Sequence, residues 1–153
     1  MKESAKLAEI LLVEDNEGDI ELTREAFEEA KFRNNLHIAV DGDEALDYLF
    51  RRNGNEEAIT PDIVLLDLNL PGTDGREVLE TIKQSDELKR IPVIVLTSSQ
   101  ADKDIVESYD LHANCYIVKP VNAENFIGVV QNIENFWVDI VLLPNIEPIQ
   151  KCA

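Results

Sequence analysis

Basic residues are scarce in this chain: 14 Lys and Arg stand against 31 Asp and Glu, a formal net charge of -17. So negative a surface is repelled by phosphate backbones, which excludes nucleic-acid binding through a broad basic face and favours a basic protein surface as partner. No apolar run is long enough to cross a bilayer, so no membrane contact is expected. The first residues, Met1-Lys2-Glu3-Ser4-Ala5-Lys6, lack the apolar core of a signal peptide. Cysteine is nearly absent as well. Cys115 and Cys152 form neither a disulfide framework nor a metal-ligand spacing. Cys115 lies in an apolar, strand-like run and reads as an inert buried thiol, whereas Cys152, near the end, reads as exposed. A cytoplasmic, reducing setting is the expectation.

What is present is a repeated pattern without a repeated sequence. The 153 residues suffice for one domain with a substantial core. Five short apolar runs, Ile10 to Val13, His37 to Val40, Ile63 to Leu66, Val93 to Leu96 and Tyr116 to Val118, read as strands. Each precedes a segment of helical periodicity, at 18–31, 43–52, 76–84, 102–111 and 123–138. Strand-helix repeated five times predicts an α/β fold, a doubly wound parallel sheet with helices on both faces. The polar stretch Arg51 to Glu57 reads as a surface loop within one domain.

The strand ends carry the chemistry. Asp67 stands where the third strand should stop, and a carboxylate is costly to bury there unless something pairs with it. Pro71, Gly72 and Gly75 turn the chain toward a helix. Glu14 and Asp15 follow the first strand, Thr97 ends the fourth, and Lys119 ends the fifth before Pro120. In an open parallel sheet these ends share one edge, where sites form. Clustered carboxylates repel one another unless a cation offsets them, and hard oxygen donors with room for water suit Mg2+. A nucleophilic carboxylate, a metal, a lysine and a hydroxyl suit phosphoryl transfer. Taken singly, each has a plainer reading. Glu14, Asp15 or Asp19 could cap the first helix, Thr97 with Ser98 and Ser99 the fourth, and Lys119 could be a solvated lysine.

Together, Val13-Glu14-Asp15, Leu66-Asp67-Leu68-Asn69-Leu70-Pro71, Leu96-Thr97-Ser98 and Lys119-Pro120 resemble the receiver domain of two-component response regulators. The resemblance covers about residues 8 to 138 and implies a flavodoxin-like, receiver-type (βα)5 fold. It implies that Asp67 accepts phosphate from the phosphohistidine of a sensor histidine kinase. By the same resemblance Glu14, Asp15, Asp67 and the main-chain carbonyl of Asn69 bind Mg2+, with Mn2+ as a substitute. Thr97 and Lys119 contact the phosphoryl oxygens, the Lys119-Pro120 bond is cis, and Tyr116 stands at the aromatic switch position that moves with Thr97.

Other residues have structural readings. His112, where many receivers have glycine, reads as a turn residue; His37 reads as a strand start; Trp137 anchors the last helix. That helix is apolar on more than one face. Phe126, Val130, Ile133 and Trp137 make one stripe, Phe136 widens it, and Ile140 and Leu142 continue it. The surplus predicts a homodimer through this region, with 1–138 as the receiver domain, 139–153 as a tail in the dimer contact and no output domain. The loop after the second helix, the Asn135-Phe136-Trp137 run and the tail resemble the small response regulators of cyanobacterial and bacterial phytochromes, which implies a phytochrome as the kinase. The expected role is therefore a signalling switch whose only catalysis is its own phosphorylation and dephosphorylation. Two alternatives stand beside it. A haloacid-dehalogenase-type phosphatase would need a second aspartate where Asn69 stands, and a phosphorylation-independent scaffold would ignore loss of the Asp67 charge.

Overall fold

Branched apolar side chains in runs of four to six residues favour strands that are covered on both faces. The computed structural model, which describes residues 7–29, 33–70, 73–97, 115–118 and 131, contains five strands. They are β1 (Ala8–Val13), β2 (Asn34–Ala39), β3 (Ile63–Asp67), β4 (Val93–Thr97) and β5 (Cys115–Val118). All neighbours are parallel, in the order β2-β1-β3-β4-β5. Every residue of β1 and β3 is buried, as inner strands of a sheet covered on both sides should be. The register sets the strand ends level: Val13 lies opposite both Ala39 and Leu66, Asp67 opposite Leu96, and Thr97 opposite Val118.

Three helices are described: α1 (Glu17–Glu28), α2 (Gly42–Leu49) and α3 (Gly75–Gln84). Each begins at a side chain that accepts a hydrogen bond from an otherwise unpaired main-chain N–H. Asn16 accepts from Asp19, Asp41 from Glu44, and Asp74 from Arg76. On one face of the sheet Leu11, Val13, Val64, Leu66, Val93 and Val95 form a core with Ala45 and Leu49 of α2 and Val78, Leu79 and Ile82 of α3. Each such fully buried aliphatic side chain larger than alanine contributes about 1.5–3 kcal/mol. Ile10, Leu12, Ile63 and Leu65 alternate with them along β1 and β3 and are buried too.

Several boundaries differ from the periodicity reading. α1 ends at Glu28, short of residue 31. α2 ends at Leu49, short of residue 52, because Phe50 is its C-cap and Arg51 takes a left-handed conformation (φ 55°). The strand expected at His37 to Val40 starts three residues earlier and stops one sooner, leaving Val40 43 % exposed. His37 is thus mid-strand and not a strand start. Its Nε2 lies 2.7 Å from Oε1 of the buried Glu9, which also accepts from Asn35 Nδ2 at 3.2 Å. The polar Asn34 and Asn35 concealed this stretch of strand, because their amides serve partners that only the fold supplies. Asn34 Nδ2 donates to the Phe27 carbonyl.

Nearby, burial and then the Glu9 charge push the Tyr48 hydroxyl above its usual pKa. Hydrogen bonds from Arg52 and then Asn53 hold the Asp47 carboxyl below the usual carboxylate range. The loop expected from Arg51 onward is present, with Asn53 and Gly54 also at positive φ. The helix expected at 102–111 and, apart from the helical Gln131, that expected at 123–138 lie outside the described residues, as do His112 and Trp137.

Candidate acidic site at the strand ends

The chain leaves β1 toward β2 on one side and later returns to place β3 on the other. The point where the order reverses, between the carboxyl ends of β1 and β3, is where an open parallel sheet offers a crevice. Glu14 and Asp67 occupy it because they extend these two strands. The Glu14 N–H continues the β1–β2 ladder to the Ala39 carbonyl (2.9 Å). Asp67 is the last residue of β3, and the Leu68 N–H continues the β3–β4 ladder to the Leu96 carbonyl (3.0 Å).

One carboxylate oxygen each from Glu14, Asp15 and Asp67 come within 4.8 Å of one another. Glu14 is 1 % exposed and Asp67 3 %, while Asp15 faces solvent. Main-chain donors meet part of this charge: Asn16 N–H donates to Glu14 Oε2 (3.2 Å) and Asn69 N–H to Asp67 Oδ1 (2.9 Å). Three acidic groups this close, two of them withdrawn from water, are unfavourable without a neighbouring positive charge. Their donor set, all hard oxygen with one member open to solvent, fits a divalent cation of the Mg2+ type that keeps some of its water.

Asn16, and neither Glu14, Asp15 nor Asp19, caps α1, so Glu14 and Asp15 are not consumed by the helix. Gly75 is the first residue of α3 and not a loop residue, and it approaches the phosphoacceptor candidate closely. A Cβ there would stand 2.5 Å from the Asp67 carbonyl oxygen and 2.6 Å from the Leu68 Cα. Thr97 ends β4, and Tyr116 lies within β5 opposite Val95. Lys119, Pro120 and the dimer candidates Phe126, Val130, Ile133, Phe136, Trp137, Ile140 and Leu142 lie outside the described residues. One tie escaped the sequence reading. The Thr73 hydroxyl, just before α3, donates to Asp43 Oδ1 in the first turn of α2. The Asp41-Gly42-Asp43-Glu44 run marks a helix start but gives no sign of a partner more than twenty residues ahead.

The family pattern described as the response regulator receiver domain matches residues 10–143. Response regulator Rcp1 of Synechocystis sp. is 46 % identical over 135 residues, covering 88 % of this chain and 92 % of that protein. The Mn2+-bound form of Rcp1 superposes with a TM-score of 0.77 at 42 % identity, over 92 % of this chain and 98 % of its own. The phosphorylated cyanobacterial phytochrome response regulator RcpA superposes with a TM-score of 0.78 at 47 % identity, over 87 % and 95 %. A probable methanogenesis regulatory protein, FilR2 of Methanothrix harundinacea, is 43 % identical over 84 % of this chain and 83 % of its own. With a parallel sheet in this strand order, an acidic crevice at its switch point and a family match across most of its length, the chain belongs to the response regulator receiver domain family.

Proposed function

We propose that this protein is a phosphorylation-driven signalling switch in which Asp67 accepts a phosphoryl group from the phosphohistidine of a sensor kinase. The observation that carries the reading is the crevice itself: a nearly buried aspartate at a strand end, beside two more carboxylates, with a main-chain N–H on one of its oxygens. Glu14, Asp15 and Asp67 would hold Mg2+, with the Asn69 carbonyl as a further ligand. Mn2+ serves as a substitute, and the Mn2+-bound form of Rcp1 supports a divalent ion here. The ion, when bound, neutralises the carboxylates and the charge on the transferring group.

In the transfer, an Asp67 carboxylate oxygen forms a bond to phosphorus while the phosphorus–nitrogen bond of the phosphohistidine breaks. The electron pair returns to the imidazole nitrogen, which takes up a proton from solvent. The Asn69 N–H keeps one Asp67 oxygen occupied and so fixes the direction of the other. By family resemblance Lys119 and Thr97 meet the phosphoryl oxygens, and Tyr116 follows Thr97 in the switch. Water later cleaves the acyl phosphate and restores Asp67. The similarity to RcpA, a phosphorylated cyanobacterial phytochrome response regulator, supports a phytochrome as the kinase. The homodimer through Phe126, Val130, Ile133, Phe136, Trp137, Ile140 and Leu142 is part of the proposal.

Intact mass after incubation with acetyl phosphate and Mg2+ tests the chemistry. Wild type is expected to gain one phosphate that survives acid and is lost in base. Asp67→Asn is expected to gain none. Equal gain by the variant would place the phosphoacceptor elsewhere, and absence of gain with a cognate kinase as well would overturn the reading.

A further inference from the structure

After Asp67, the described residues on either side of 71 and 72 are each tied to a neighbouring element. On the near side Asn69 and Leu68 are tied to Asp67 and Leu96. On the far side the Thr73 hydroxyl donates to the Asp43 carboxylate, a charge-assisted bond between the pre-α3 segment and the first turn of α2. The same two elements touch through the backbone. A Cβ on Gly42 would overlap the Thr73 carbonyl group and stand 2.9 Å from the Thr73 Cβ, so α2 sits against this segment without room for one methyl. Glycine at the first helical position weakens a helix slightly, and here the close approach requires it. Neither Thr73 nor Asp43 belongs to the acidic crevice.

We infer that Thr73 and Asp43 are a positioning pair for the metal crevice: the α2 helix start, through Asp43 and Gly42, holds the far end of the segment in which Asn69 offers its carbonyl. The inference rests on the proposed Mg2+ site and adds to it a dependence on α2. Asp41 fixes the first turn of α2 by accepting the Glu44 N–H at 2.7 Å, so the carboxylate of Asp43 is presented from a capped, rigid turn. Groups that orient metal ligands from behind affect affinity by roughly ten- to a hundredfold. A pair that is open to solvent falls at the lower end.

The test is Mg2+ affinity by isothermal titration on the full chain, for wild type, Thr73→Ser, Thr73→Val, Asp43→Ala and the double variant Thr73→Val/Asp43→Ala. Urea unfolding in EDTA accompanies each variant. Thr73→Val and Asp43→Ala are each expected to weaken Mg2+ binding roughly tenfold, with the double variant no worse than either and Thr73→Ser close to wild type. The metal-free urea midpoints should not follow the same order. Unchanged affinity in the single variants would overturn the pairing, as would losses that multiply in the double variant or that simply track the urea midpoints. Wild type that takes up no Mg2+ at millimolar concentration would instead overturn the proposed site, and the inference with it.

Discussion

At the scale of single residues, burial separates the three carboxylates more sharply than their sequence does. Glu14 and Asp15 are adjacent in the chain, yet Glu14 is withdrawn from water and Asp15 is not. Glu14 and Asp67 are therefore the two of the three whose charges are withdrawn from water. In metal-free buffer Glu14→Gln is expected to be more stable than wild type, because it removes one of two like charges withdrawn from water. In Mg2+ the order should reverse, because an ion that binds only the folded chain stabilises the better ligand set more. Urea midpoints of both proteins in EDTA and in Mg2+ provide the check. A variant less stable than wild type in EDTA would show that the carboxylates are compensated without metal. The sequence made these acids legible because they fall at the ends of apolar runs. It could not rank them, since burial is set by the neighbouring β2 and β4 strands. It also concealed Glu9, an acid inside a strand whose His37 and Asn35 partners lie on another strand.

At the scale of elements, the three described helices were located by their apolar spacing; the C-terminal ends of α1 and α2 were each missed by three residues, and that of α3 was met. Apolar side chains such as Phe50 continue to pack on the core after the helix has stopped, so periodicity runs past the true end. The start of α3 shows the reverse case, where glycine looked like a loop residue but is the first of the helix. What requires it is the backbone of Asp67 and Leu68 directly beneath. Gly75→Ala is expected to destabilise the protein by about 1–3 kcal/mol, the usual cost of an overpacked methyl, although alanine is the better helix former. A denaturant titration would reveal it, and a variant as stable as wild type would mean that α3 can move away from β3 freely. Because the nearest obstructing atom is the main-chain carbonyl of the phosphoacceptor candidate, and the next belong to the residue after it, the same variant should also take up phosphate more slowly.

At the scale of the whole molecule, the excess of acid over base sets how the chain meets other chains. Two copies each carrying a formal charge of -17 repel at long range, so association between them requires apolar contact and is favoured by salt. Light scattering in 0.15 M salt is expected to give the mass of two chains, and a lower mass fraction of dimer at low ionic strength. A monomer under both conditions, with and without phosphate on Asp67, would remove the dimer from the proposal. The strand order was legible only through the family resemblance; alternating strands and helices predict a parallel sheet but not which strand lies beside which. That order has one more consequence, for folding. Glu14 and Asp67 end strands that are neighbours in the sheet, yet α1, β2 and α2 all lie between them in the chain. Their meeting requires closure of a long loop, which belongs among the slower events of folding. An ion that needs all three carboxylates finds no such site in the unfolded chain, so it should delay the loss of the native state more than hasten its arrival.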